Sequence, residues 1–335
     1  MVDLSILVLS WNTRELTAAC LEAISRVERR PDGETPTVSI ETFLIDNGSE
    51  DGTADLVRKR FPWVELIALP GNLGFAAGNN AGLRRARGRF ALLLNTDTQI
   101  DRHVIEYGVS FLRDHPDVGA AGVQLVHPDG RLQNSIHNFP SLVTEVVPKW
   151  LLELALPWRF PSKRYPHAGP VDVEAVLGAC LFVRREAWER VGLLPEDYFL
   201  FLEETDWCWA MREQGFRVVH LPGARLVHHS GASSKKKTPA ATRIEYHRAL
   251  YRFLRKRRGA LQAWLVMLLR ALKAFVAVLV RVPAALVSRR GRASAHARWQ
   301  VLAWHLRGCP ETEGLVTRAY LDHIAAQASP LKETQ

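Results

Sequence analysis

Short apolar runs alternate with longer stretches of helical period along the first part of the chain. The run Leu4 to Leu9 stops at Ser10-Trp11-Asn12, and similar runs occupy Thr42 to Ile45, Val64 to Ala68 and Phe90 to Leu94. A compact apolar run bounded by turn residues predicts a buried strand. Helix-compatible stretches lie between most of them, at Thr13 to Arg26, Thr53 to Arg60 and Phe75 to Arg85. This alternation predicts βαβ units and an α/β fold with a mostly parallel sheet. A helix near His103 to Arg113 and a strand at Gly119 to Val126 follow. From Pro140 to Pro170 no period is visible, which reads as a long functional loop. Beyond it the pattern predicts a buried strand at Glu174 to Val183, helices around Arg185 to Val191 and Thr205 to Gln214, and short strands at Phe216 to His220 and Arg225 to His228. The first apolar run follows the initiator methionine almost at once, without the basic lead of a secretory signal.

The pattern changes after residue 234. Ile244 to Arg258 is a basic helical stretch, and Ala260 to Val282 is apolar except for Gln262, Arg270, Lys273 and Arg281. At about 100° per residue these four fall in one wedge roughly 100° wide, with Trp264 and Phe275 opposite. That arrangement predicts a helix lying in a membrane interface. A crossing helix needs about 18 to 20 residues with few charges, which this segment is expected to lack. The alternative is an apolar face packed on the protein's own core or on a second copy in a dimer. Charge sharpens the contrast: Lys235 to Arg307 holds 18 Lys and Arg against the single acid Glu245, while the rest of the chain is net −8. A segment of +17 beside an apolar face suits an anionic membrane surface. A nucleic-acid binder would instead interleave aromatic platforms with its bases, so nucleic acid is not an expected partner.

Composition adds two bounds. At 335 residues, 47% of them apolar, the chain has room for about two domains, expected at 1–234 and 235–335. Its four cysteines form no CxxC pair, which fits reduced thiols and excludes a disulfide framework.

Ligands of an open parallel sheet bind outside the carboxyl ends of its strands, so the residues just after each run are the ones to read. They are polar: Ser10-Trp11-Asn12, Asp46-Asn47-Gly48-Ser49, the loop Pro70 to Asn80, and Asn95-Thr96-Asp97. Each has a simpler reading as a turn or helix cap. The glycines of the third loop lack the GxGxxG spacing and its distal acid, against a nucleotide-dependent oxidoreductase. Asp97 can cap a helix or hold Mg²⁺ or Mn²⁺ against a diphosphate. Further on, Glu203, Glu204 and Asp206 follow an aromatic run that could raise a carboxyl into the range of a general base. Asp206 can equally cap the next helix. On an extended segment Glu203 and Glu204 would point to opposite sides. The pair His228-His229 ends a strand.

In this order the pieces resemble family 2 glycosyltransferases with the GT-A fold, especially the rhamnosyltransferase-like branch that builds bacterial surface polysaccharides. The matching residues are Val8 to Asn12, Ile45 to Ser49 with Asp51 to Thr53, Asn72 to Asn80, Leu94 to Thr98, Gly178 to Cys180, Phe201 to Asp206 and His228 to Ser233. The resemblance spans roughly residues 4 to 234. It implies a Rossmann-like, mostly parallel sheet flanked by helices, here with a helical amphipathic C-terminal extension. It also implies a nucleoside-diphosphate sugar donor bound by Ser10, Asn12, Asp46, Asn47, Asn72, Gly74, Asn79 and Asn95. A divalent metal, Mg²⁺ or Mn²⁺, is implied at Asp97, with His228 completing its site. The family's metal motif often reads Asp-x-Asp, and Asn95 stands in its first place. Glu204 falls in the slot of the catalytic base, with Glu203 and Asp206 as the other candidates. An inverting transfer of a sugar, rhamnose first, onto a lipid-linked glycan at the cytoplasmic face of the membrane is the activity implied.

Overall fold

The computed structural model describes residues 2–28, 37–161, 167–229 and 239–328. The first half runs β1 (Leu4–Ser10), α1 (Arg14–Glu28), β2 (Ile40–Asp46), α2 (Thr53–Arg60), β3 (Glu65–Ala68), α3 (Gly74–Leu83) and β4 (Phe90–Asn95). These four strands are parallel in the order β3-β2-β1-β4, with Leu4 beside both Ile40 and Phe90. Then come β5 (Thr98–Gln99), α4 (Arg102–Asp114), β6 (Val118–Val126), β7 (Ile136–His137), α5 (Leu142–Val146), α6 (Lys149–Ala155), β8 (Val171–Asp172), β9 (Ala175–Val176), β10 (Cys180–Arg184), α7 (Arg185–Val191), α8 (Glu203–Glu213) and β11 (Arg217–His228). The sheet continues β4-β10-β6-β11-β5, with β10 antiparallel to both neighbours and β6 parallel to β11. The result is the expected α/β sheet, mostly parallel, flanked by helices.

Side chains alternate across the sheet and so divide the core. Leu4, Ile6 and Val8 of β1 pack with α1 and α4 on one face. Leu7, Phe43, Leu93 and Leu181 face the other, where α8 supplies Trp207 and Met211. That second core does not stop at residue 234. It runs on into α9 (Pro239–Arg258), α10 (Ala260–Val287) and α11 (Arg289–Leu306) through Leu250, Phe253, Leu254, Val266 and Trp304.

Four local expectations are corrected. The stretch from Pro140 to Pro170 contains α5 and α6 instead of one loop; Ser141 starts α5 by accepting from the Thr144 amide. The strand expected over Glu174 to Val183 is broken at Leu177-Gly178-Ala179 into β9 and β10. The two strands expected after Phe216 are one, β11, bent by a register shift between Leu221 and Arg225. Helix α8 begins at Glu203, so Glu203 and Glu204 share its first turn and do not alternate across an extended segment. The resembling stretch Ser230 to Ser233 lies outside the described residues.

The polar wedge of α10 also faces differently from expectation. Ala263, Val266 and Ala274, within roughly 60° of Arg270 at about 100° per residue, are buried, so the wedge turns toward the protein. There the Arg270 guanidinium pairs with Glu145 of α5, Lys273 Nζ donates to the Glu145 carbonyl at 3.0 Å, and the Leu142 amide donates to Gln262 Oε1 at 3.3 Å. The outward face carries Leu261, Trp264, Leu272, Phe275 and Leu279, all exposed. By length and composition Ala260–Arg281 is apolar enough to cross a membrane, with a mean hydropathy of 2.1 over its 18-residue stretch, which corrects the expectation that it falls short.

Candidate active site

The polar strand ends converge, and hydrogen bonds lock several of them together. The Asn47 amide N–H donates to the Ser10 carbonyl, and its side chain bridges to the third loop: Nδ2 donates to Asn72 Oδ1 and the Gly74 carbonyl, both at 3.0 Å, while Oδ1 accepts from the Leu73 amide. Asp46 Oδ1 accepts from the Ser49 amide at 3.1 Å. Asn12, in the left-handed region at φ 51°, receives the Glu50 amide on its Oδ1. Ser10 is buried against Thr13 and Thr17. Asn79 is buried too, its amide donating to the Phe75 carbonyl within α3.

Glycine is required where the third loop crosses the chain before α8. Gly74 has φ +85°, and a Cβ there would lie 2.3 Å from the Phe199 carbonyl oxygen, to which the Phe75 amide donates. The third loop and the segment leading into the acid-bearing helix are thereby held in direct backbone contact.

Beside this junction opens a cleft of about 840 Å³ whose wall includes Asn95, Gly178, Glu203, Glu204 and His228. Phe201 and Leu202, at φ 73° and 66°, are consecutive non-glycine residues in the left-handed region. Such backbone strain is held by surrounding structure and concentrates at functional sites. Here it aims the first turn of α8 into the cleft. Burial pushes the Glu204 carboxyl up to about 6, against hydrogen bonds from its own amide and from Thr205. Glu203 lies well above the ordinary carboxylate range through burial and the charge of Glu204, and its Oε2 has no hydrogen-bond partner. Of the two, Glu204 carries the weaker bias toward the protonated form, because the charge of Glu204 adds to burial at Glu203.

Asp206 does not join them. It is buried on the far side of α8, where Oδ2 takes Lys256 Nζ at 2.6 Å and Oδ1 takes the Arg257 guanidinium. It does not cap α8 either, because Leu202 occupies that place and Asp206 is one turn into the helix. Its role is to fasten α9 to the catalytic half.

At the other end of the cleft His228 Nε2 stands 3.3 Å from Asp97 Oδ1. Gln133 Nε2 donates to the His228 and Val126 carbonyls, so its Oε1 must be the acceptor facing His228 Nδ1 at 2.9 Å. With Nδ1 donating to Gln133, it is Nε2 that faces the Asp97 carboxylate. An imidazole nitrogen and a carboxylate oxygen side by side, the ring oriented by a buried amide, are ligand types that suit a divalent cation. Asp97 does not cap the following helix, since Asp101 does so by accepting from the Val104 amide at 2.9 Å.

Sequence reasoning missed Gln133, which lies in an aperiodic segment, and Tyr246 and Arg243 of α9, which wall the same cleft. It also missed α12 (Arg318–Gln327), which returns to the third loop: Thr317 Oγ1 donates to the Asn72 carbonyl at 2.5 Å and Tyr320 Oη to the Asp197 carbonyl at 2.8 Å.

A doubly flanked sheet with a polar cleft at its strand ends, a buried carboxylate pair and an aspartate–histidine pair defines a glycosyltransferase of the GT-A type. The family described as glycosyl transferase family 2 matches residues 5–192, and the chain belongs to it. The N-acetylglucosaminyl-diphospho-decaprenol L-rhamnosyltransferase of Mycobacterium tuberculosis is 30% identical over 237 residues, covering 65% of this chain and 75% of that protein. The dTDP-rhamnosyl transferase RfbF of Shigella flexneri is 24% identical over 227 residues, covering 65% and 69%. The mannosyltransferase PcManGT from Pyrobaculum calidifontis, solved in complex with GDP-Man and Mn²⁺, superposes with a TM-score of 0.55 at 18% identity over 92% of this chain and 88% of that one, a likeness of fold.

Proposed function

We propose that this enzyme is an inverting, metal-dependent glycosyltransferase that moves a sugar, rhamnose first, from a nucleoside-diphosphate donor onto a diphospho-lipid-linked glycan. The observation that carries this reading is the cleft that Glu204 and His228 both line, with Asp97 Oδ1 3.3 Å behind His228 Nε2. The donor lies along the locked strand ends, with Asp46 at the base and Asn72, Gly74 and Asn95 toward the diphosphate. Ser10, Asn12, Asn47 and Asn79 hold that surface in shape through their internal hydrogen bonds. Asp97 and His228 would hold Mg²⁺ or Mn²⁺, which when bound neutralises charge on the departing diphosphate. Glu204 removes the proton from the acceptor hydroxyl as its oxygen bonds to the anomeric carbon and the bond to the diphosphate breaks. Burial beside Glu204 favours the protonated form of Glu203, which in that form can donate to acceptor oxygens.

The acceptor follows from the relative named for a diphospho-decaprenol substrate and from the outward apolar faces of α5, α6 and α10. Trp150, Leu154 and Trp158 extend the exposed apolar surface that α10 begins, and Glu145 joins the two parts. On this reading residues 1–234 form the catalytic unit and 235–335 the part that holds it on the cytoplasmic membrane face.

Thermal shift with nucleotide sugars and Mn²⁺ tests the donor site, since a ligand at 100 times its Kd adds about 2.7 kcal/mol of stability. Asp97→Asn should abolish the metal-dependent part of that shift while the ligand-free melting temperature stays nearly unchanged. Metal-dependent nucleotide binding that survives in the variant would remove Asp97 from the site.

A further inference from the structure

Three cavities adjoin one another along the extension. The catalytic cleft shares Arg243 and Tyr246 of α9 with a recess of about 330 Å³ between α9, α10 and α11. That recess shares Lys273 and Arg298 with a groove of about 400 Å³ along α10, walled by Leu272, Val276, Ala277 and Val280. The polarity changes along this line from mixed, to cationic, to apolar.

The recess is unusual in what it leaves unpaired. Arg243 and His247 come from α9, Arg270 and Lys273 from α10, and Arg298 from α11. Among the described residues Glu145 of α5 is the acid that faces them; Arg270 engages its carboxylate, and Lys273 donates to its backbone carbonyl. Neither Arg243 nor Arg298 has an ion pair or hydrogen bond among the described residues, and their charges repel, which with burial lowers the Arg243 guanidinium. His247 is only 4% exposed, and neither its Nδ1 nor the buried Nε of Arg270 has a hydrogen-bond partner among the described residues. Burial and the neighbouring Arg270, His305 and Arg243 hold His247 down at about 3, so it is a neutral donor or acceptor. Uncompensated like charges and orphaned buried donors cost stability in the ligand-free protein. Arginines converging on one recess suit phosphate oxygens in particular.

We propose that this recess binds the diphosphate of the lipid-linked acceptor, with the adjoining groove on α10 taking the first part of its hydrocarbon chain. The assignment rests on the acceptor class proposed above. It orders the acceptor as the cavities are ordered: sugar hydroxyl at Glu204, diphosphate at Arg243 and Arg298, hydrocarbon along Leu272 to Val280. The diphosphate would neutralise the two unpaired arginines and give the His247 and Arg270 donors acceptors.

The test uses the full chain and phosphatidylcholine vesicles carrying either polyprenyl diphosphate or phosphatidylglycerol at matched charge, read by cosedimentation. Wild type should prefer the polyprenyl diphosphate vesicles by about tenfold or more, the scale of a lost charge-assisted contact. Arg243→Gln with Arg298→Gln should erase that preference while binding to phosphatidylglycerol vesicles is kept. Removing one of two repelling charges should leave the melting temperature unchanged or higher, and Arg298→Gln alone should act in the same direction. Equal binding of wild type to both vesicles, or a preference that survives in the double variant, overturns the site. Full displacement by inorganic pyrophosphate at its own phosphate concentration would mean a free-phosphate site and overturn the lipid assignment. Neither donor nor turnover enters this assay, so absence of sugar transfer in wild type counts against the proposed function, and absence of the preference counts against this recess.

Discussion

The carboxylates after the aromatic run show what one residue's surroundings decide. Their position marks a site in the sequence and the aromatic run signals burial, but which acid does what also depends on the strained turn at Phe201 and Leu202, which leaves no sequence signal. Glu204 is pushed up to about 6 by burial, so turnover should fall with pH below about 6 as the base takes a proton, roughly tenfold per unit. Glu204→Gln should lose about 10² to 10⁴ in kcat and the acid limb with it, while donor affinity holds. The linkage has a definite sign. A carboxyl raised in the fold contributes most below its unfolded value near 4.5 and loses that contribution as pH rises through about 6, so Glu204→Gln should melt no lower than wild type at pH 7. Asp206→Asn should behave oppositely, costing about 2 kcal/mol because Lys256 and Arg257 lose a buried partner, with catalysis per folded molecule kept. Urea melts of the two variants separate these roles; a stable but inactive Asp206→Asn would move the base to that residue.

At the scale of elements, the strands and helices of the first half were legible because each apolar run has one length and one period, as β1, β2, α2 and β4 illustrate. The misses share a cause in tertiary contact. α5 is a short piece whose partner is α10, more than a hundred residues later, so no local window carries its pattern. β11 reads as two strands because Pro222-Gly223 interrupts it, yet the bend is absorbed by a register shift against β6. The Gly74 contact is another such case: glycine is visible, the Phe199 carbonyl beside it is not. Gly74→Ala should cost several kcal/mol, on the order of 3, because both the positive φ and the 2.3 Å approach forbid a methyl group. A differential-scanning melt checks this, and a melting temperature like that of wild type would show that the loop can move away from Phe199.

At the scale of the whole molecule, the sequence showed two electrically different halves, and the structure shows them sharing one apolar core through α9. A cut at Ile244 would therefore open that core and not release a free catalytic domain. The inward turn of the α10 wedge leaves Leu261, Trp264, Leu272, Phe275 and Leu279 exposed on the outward face, and the proposed membrane contact would be made there. Alkaline carbonate should strip part of the full chain from membranes, and Leu272→Glu with Phe275→Glu should release more; extraction by detergent alone would mean that α10 crosses the bilayer. The central claim is that Glu204 drives sugar transfer to a lipid-borne acceptor, and one measurement meets it directly. Wild type and Glu204→Gln are incubated with deoxythymidine-diphosphate rhamnose, Mn²⁺ and vesicles carrying N-acetylglucosaminyl-diphospho-polyprenol, and the lipid is read by mass spectrometry. The account predicts addition of one deoxyhexose by wild type and a rate lower by about 10² or more in the variant. Equal rates from both proteins, or no transfer from any nucleoside-diphosphate sugar with wild type, would contradict it.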